Sequence, residues 1–325
     1  MSDIVAAPSP TTAAVGGSAA STAGRTAVLA LGLFTAMGVG STLAGLLVPS
    51  VGEALAARQQ EGSAGAAAVA FAALLQALML APTAARARPG RWRAALGIGG
   101  AYWLITPVLM QIESAVFLAP VLPDGFLLSV GISETVIAAT AGVLAATLFG
   151  RRAGESAAPR HQALLDPNVS VHGWVARLVA ICVIYILLYL LAGAFIALRD
   201  PALQAFYDQI GMPSLGTIFG VQALRGALWA AAGALLLGVL DANRRTAAGL
   251  VGLVFTLPVT LLLIPNPIMP PEVRSTHFVE VASSNFLFGL ATAWILTRRA
   301  RGSSLAQSRA PAPAVTEQAD PSEIH

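Results

Sequence analysis

One arginine interrupts the apolar stretch Ser214–Leu240, within the run Gln222-Ala-Leu-Arg225-Gly226-Ala-Leu-Trp229. A guanidinium in hydrocarbon is costly, so it must face a protein interior and find an anionic partner. Three acidic residues elsewhere sit inside apolar stretches: Glu113, Glu134 and Glu280. On a helix, Gln222, Arg225 and Trp229 share one face. His277, Glu280 and Ser284 share another, with Asn285 flanking it. One guanidinium holds one carboxylate bidentately and has N–H groups left for a second. The chemistry on offer is capture of an anionic group by Arg225, with Glu134 or Glu280 exchanging protons.

Depth decides whether these groups can meet. At about 1.5 Å per helical residue, Glu134 and Glu280 lie about 25–27 Å beyond the arginines that follow their stretches. Glu113 lies about 30 Å beyond Arg93, and Arg225 about 24 Å before Asp241. All four are expected in one outer third of the structure, opening towards the outer face.

His277-x-x-Glu280 projects two ligand types from one face, and with Glu113 and Glu134 it has the composition of carboxylate-rich metal sites in helix bundles. Only one histidine falls in any apolar stretch, however, and Arg225 would repel a cation, so no metal is expected. No cofactor is implied and no catalytic residue is assigned. The chain has no G-x-S-x-G and no H-E-x-x-H. Gly220 and Val221 stand where the membrane glutamic proteases that process prenylated proteins carry paired glutamates before an arginine-glycine step. Cys182, the single cysteine, cannot form an intrachain disulfide and reads as a small apolar residue between helices.

The elements that must position these groups follow from composition. Of 325 residues, 56% are hydrophobic and 11% charged, against roughly a quarter charged in a soluble domain. The partner implied is a lipid bilayer. All 19 basic residues are arginine, yet no basic face is interleaved with aromatics, so nucleic acid is not a partner. Together with the Ala and Gly usage, the arginine preference points to a GC-rich bacterial genome.

Eight stretches near the length needed to cross hydrocarbon follow: Thr26–Pro49, Ala64–Ala85, Ala94–Leu118, Phe126–Phe149, Leu178–Leu198, Ser214–Leu240, Thr246–Ile264 and Thr276–Leu296. Lipid offers no partner for backbone polar groups, so each must be helical. The expected fold is an all-α polytopic membrane protein of eight transmembrane helices. Residues 1–24 and 299–325 read as disordered tails and 151–177 as a polar loop, between membrane units at 25–150 and 178–298. The first stretch follows a long polar tail and is expected to be retained, not cleaved. Arginines cluster in alternate connections, which puts both termini in the cytoplasm of a bacterial inner membrane.

The two units look like copies. Leu43-Ala44-Gly45 matches Leu191-Ala192-Gly193, Gln76 matches Gln222, and Glu134 matches Glu280, all at offsets of about 146–148 residues. Four helices per copy give both copies the same orientation, hence two parallel four-helix repeats about an axis along the membrane normal. Pro107 and Pro258 should kink the third and seventh helices, and paired interruptions in two halves point to a binding site. Three functions stay open: a transporter or permease-like protein for a small solute or ion, an intramembrane enzyme acting on a lipid or lipid-linked substrate, and a structural subunit of a larger complex.

Overall fold

The computed structural model describes residues 13–56, 62–88, 90–150, 162–266 and 268–298. Among these, the α-helices in order are α1 (Ala13–Leu47), α2 (Pro49–Ala56), α3 (Gly62–Ala85), α4 (Arg91–Trp103), α5 (Gln111–Phe117), α6 (Phe126–Phe149), α7 (Val171–Phe195), α8 (Pro201–Ile210), α9 (Leu215–Val239), α10 (Arg244–Phe255) and α11 (Pro271–Leu296). The extended pairing among the described residues is one antiparallel bridge, Ala87 with Leu240. Eight segments are long and apolar enough to cross a membrane, and they fall on the eight stretches read from the sequence. The third joins α4 to α5, and the seventh continues α10 to Leu263.

Two boundaries differ from expectation. Helix α1 begins at Ala13, inside the stretch expected to be a tail, because that stretch is rich in alanine, the strongest helix former. Residues 1–12 lie outside the described residues. Helix α7 begins at Val171, not Leu178, where the Ser170 hydroxyl accepts from the Gly173 amide at 3.2 Å and caps it. The expected loop 151–177 therefore shortens at its end, with 151–161 outside the described residues. The expected tail 299–325 lies outside them as well. Similar caps start α9 (Ser214, accepting from Thr217 N at 3.2 Å) and α10 (Asn243, accepting from Thr246 N at 2.9 Å).

Both mid-span prolines break their helices. Pro107 has no N–H to return to the preceding turn, and the backbone widens into a π-helical segment, Leu104–Met110, between α4 and α5. Beyond Phe255 the chain tightens into a 3₁₀ segment, Leu257–Leu263, with Pro258 in its first turn. The two irregular segments touch each other.

Packing sets the centre. Helix α1 packs on α3 and α6, and α4 on α6; α7 packs on α9 and α11, and α10 on α11. Across the middle, α4 meets α9 and α3 meets the 3₁₀ segment. Glycines allow the two tightest crossings. A Cβ on Gly142 would stand 2.8 Å from the Gly99 Cα, and one on Gly289 would stand 2.6 Å from the Gly252 Cα. The seventh segment is two-thirds buried (67%) and the fifth only 11%, so the former is central and the latter presents its leucines and valines outward.

Candidate functional site: a buried arginine above a ring of aromatics

Helix α9 carries Arg225 into the interior, where it is 3% exposed. Its Nη2 donates to Glu113 Oε2 at 2.6 Å, and its Nη1 donates to Gln222 Oε1, one turn away, at 3.1 Å. The guanidinium also lies over the Tyr185 ring of α7, 5.5 Å from its centroid, in a cation–π contact. A third group, Arg225 Nε, has no hydrogen-bond partner. The Gln222 Nε2 group on the same helix face and Asn285 Nδ2 on α11 are also buried without a partner. Three donor groups, Arg225 Nε and two side-chain amides, thus remain unspent in a region where unmet donors are expensive.

The acidic residues expected beside Arg225 do not all gather there. Glu113 alone pairs with it, and its side chain is 30% exposed. Glu280 pairs instead with His277, Oε2 to Nδ1 at 2.9 Å, along its own helix. Glu134 is buried facing Tyr102 and Thr106, with Oε2 unpartnered among the described residues. Of the three, Glu113 meets Arg225, while α6 turns Glu134 towards Tyr102 on α4. Gln111, two residues before Glu113, leaves its Oε1 unpartnered. Among the described residues, no cluster of three or more His, Cys, Asp and Glu is placed to hold a metal ion.

Beneath Arg225 the interior is closed by aromatics, of which the sequence singled out Trp229 alone. Trp229 stacks against Phe255 with centroids 4.4 Å apart and meets Phe288 edge-on at 6.2 Å; Tyr185 sits 4.8 Å from Phe288. These rings come from α7, α9, α10 and α11, and Trp229, Phe255 and Phe288 are essentially inaccessible. Asn285 and Arg225 each stand one turn outward of the Trp229–Phe288 contact, so both lie just above this floor.

Helix α8 covers the opposite side. Its Leu203, Phe206 and Ile210 pack with Val273 at the start of α11 and with Ala197. Half-buried Tyr207 looks towards Glu280, Tyr189 and Glu113; burial, reinforced by the Glu280 carboxylate, pushes its hydroxyl well above the ordinary tyrosine range. Asp200 caps α8 by accepting from the Ala202 and Leu203 amides and also accepts from the Thr276 hydroxyl. These bonds, the one to Thr276 first, hold its carboxyl below the usual aspartate range.

Two cavities lie elsewhere. One of about 760 Å³ is an outward groove between α1 and α3, and one of about 350 Å³ lies beside Met79, Thr256 and Ser283. Neither is lined by Arg225 or by a glutamate. No family model, no curated protein and no solved structure matches the chain, so the site is read from its own geometry alone.

Proposed function

We propose that this protein is a multi-pass integral membrane transporter or permease-like protein for a small solute or ion. The observation that carries the reading is Arg225: a buried guanidinium with one carboxylate partner, unspent donors around it, and an aromatic floor beneath. A purely structural ion pair would be expected to satisfy its neighbours, since every unmet donor in a dry interior costs stability. Arg225 anchors an anionic group, and Glu280, held by His277, exchanges protons. The touching π and 3₁₀ segments supply the flexible backbone that alternating access requires.

Duplication is part of the same reading. The first span of each unit packs on the second and fourth, and the third packs on the fourth through a glycine pair. The bridge between Ala87 and Leu240 joins the loops that follow α3 and α9, the second span of each unit. The arginine-rich connections gather at one end: Arg88 donates to Leu240 O at 3.0 Å and Arg177 to Leu296 O at 3.0 Å. We assign that end, with both termini, to the cytoplasm of a bacterial inner membrane.

A structural subunit is the second reading, favoured by the short Arg225–Glu113 bond that staples α9 to α5. Flux assays in proteoliposomes separate the two. Glu280→Gln is expected to abolish solute-driven proton movement while leaving thermal unfolding in detergent unchanged. Unaltered flux in this variant would remove Glu280 from the mechanism. Loss of an assembly partner on Arg225→Ala, with no flux in the parent protein, would favour the subunit.

A further inference from the structure

Arg225 presents a planar fork, Nε and Nη2, whose two parallel N–H groups match the two oxygens of a carboxylate. Glu113 uses half of it. Its Oε2 takes Nη2 at 2.6 Å, while Nε is buried with no partner. The Glu113 side chain is tethered to α5 and meets the guanidinium through a single bond; a free carboxylate has no such tether and can take both. Gln222 Nε2, also unpartnered, stands one turn outward on the same face. Every unspent group on this face of α9 is a donor, which is the complement of an oxyanion and not of a cation.

We propose that Glu113 keeps the place of a substrate carboxylate, and that the ligand is a short monocarboxylic acid of about propionate size. This rests on the transport reading above and names its substrate class. The size follows from the room vacated: when Glu113 leaves Arg225, the space freed is that of a carboxylate with two methylenes. The aromatic floor and the α8 cover bound it below and above. On entry, the substrate carboxylate forms the forked pair with Arg225 and displaces Glu113. The displaced side chain, already 30% exposed, swings to the outer solution. One anion enters in this exchange, and the proton exchange stays with Glu280 as in the transport reading. The titratable groups facing Glu113 are Arg225 on α9, Tyr185 and Tyr189 on α7, His277 and Glu280 on α11, and Tyr207 on α8.

The test uses the purified full chain in detergent, titrated calorimetrically with propionate. Propionate is expected to bind at one site per chain. Glu113→Gln, which removes the competing carboxylate, is expected to bind it several-fold more tightly. Arg225→Lys, which loses the fork, is expected to weaken binding at least about tenfold. Should that variant fail to fold, Gln222→Met, which removes one unpaired N–H, is expected to weaken binding several-fold; the parent measurement depends on neither. Absence of propionate binding, equal binding of chloride or phosphate, preference for laurate (a lipid-derived carboxylate), or weaker propionate binding in Glu113→Gln would each overturn the proposal. Propionate binding that Glu113→Gln strengthens, but no flux into proteoliposomes, keeps this inference and removes the transport reading. Flux of an inorganic ion that is indifferent to propionate does the reverse.

Discussion

Gln76 and Gln222 stand at matching places on α3 and α9, both wholly buried, and the interior treats them differently. Gln76 is fully spent. Its Nε2 donates to Thr260 Oγ1 at 2.8 Å, and its Oε1 accepts from the Tyr102 hydroxyl at 2.9 Å, tying α3 to α4 and to the 3₁₀ segment. Gln222 accepts from Arg225 and leaves its amide N–H unused. The residue one turn further in is Met79 on α3 and Arg225 on α9. One cluster closes on itself and holds helices together; the other carries a charge and has donors to spare. On the duplication and transport readings proposed above, the first cluster is structural and the second is directed at a ligand.

The largest effect expected concerns the ion pair. Glu113→Leu leaves Arg225 buried without a carboxylate and should cost about 3–5 kcal/mol in detergent unfolding. Arg225→Leu should cost roughly half as much, because the remaining carboxylate is partly exposed and can find water. The double leucine variant is expected to regain most of the stability while having no flux, since a well-packed apolar pair replaces a buried ionic one at little cost. A double variant that still transports would end the functional claim for Arg225.

The glutamines sharpen the contrast further. Gln76→Leu and Gln222→Leu should each lower stability by about 2 kcal/mol, one stranding the Tyr102 hydroxyl and the other a guanidinium N–H. Only the second is expected to alter solute flux, by about tenfold, equivalent to one lost hydrogen bond to the ligand. Equal flux losses in the two variants, measured side by side in proteoliposomes, would mean that the two clusters do not differ in kind.

Much of this was legible in the sequence, and the reasons differ by feature. The spans were readable because lipid forces long apolar helices, and the breaks because Pro107 and Pro258 cannot continue one. The Arg225–Glu113 pairing was readable from depth, since rise per residue fixes height along a helix. Azimuth was not readable. Glu134 was expected at the height of Arg225, but α6 packs on α1 and α4 and turns it towards Tyr102. Glu280 was expected there too, yet it pairs with His277, three residues earlier. The floor of Tyr185, Trp229, Phe255 and Phe288 was hidden for another reason: in a chain this apolar, a ring inside a span carries no mark that separates packing from closure. Only Trp229 could be picked out, by its spacing from Arg225.

The smallest effect expected lies at the cover. Asp200 accepts from two amides of α8 and from Thr276 of α11, and so fastens the cover to the helix that carries His277 and Glu280. Its carboxyl is held below the ordinary aspartate range by those bonds. A group whose folded value is depressed stabilises the structure above its unfolded value, about 3.9, and loses that contribution as pH falls through the folded value. The fastening is therefore complete at neutral pH and fails only in acid below about pH 4. Amide exchange in α8 should rise there, while α9 and α11 stay protected. Asp200→Asn keeps an acceptor for the helix cap but removes the charge, so exchange in α8 should become slightly faster at neutral pH and lose its acid dependence. If acid leaves α8 exchange unchanged in the parent protein, Asp200 is not what holds the cover, and the apolar contacts of Leu203, Phe206 and Ile210 with Val273 carry it alone.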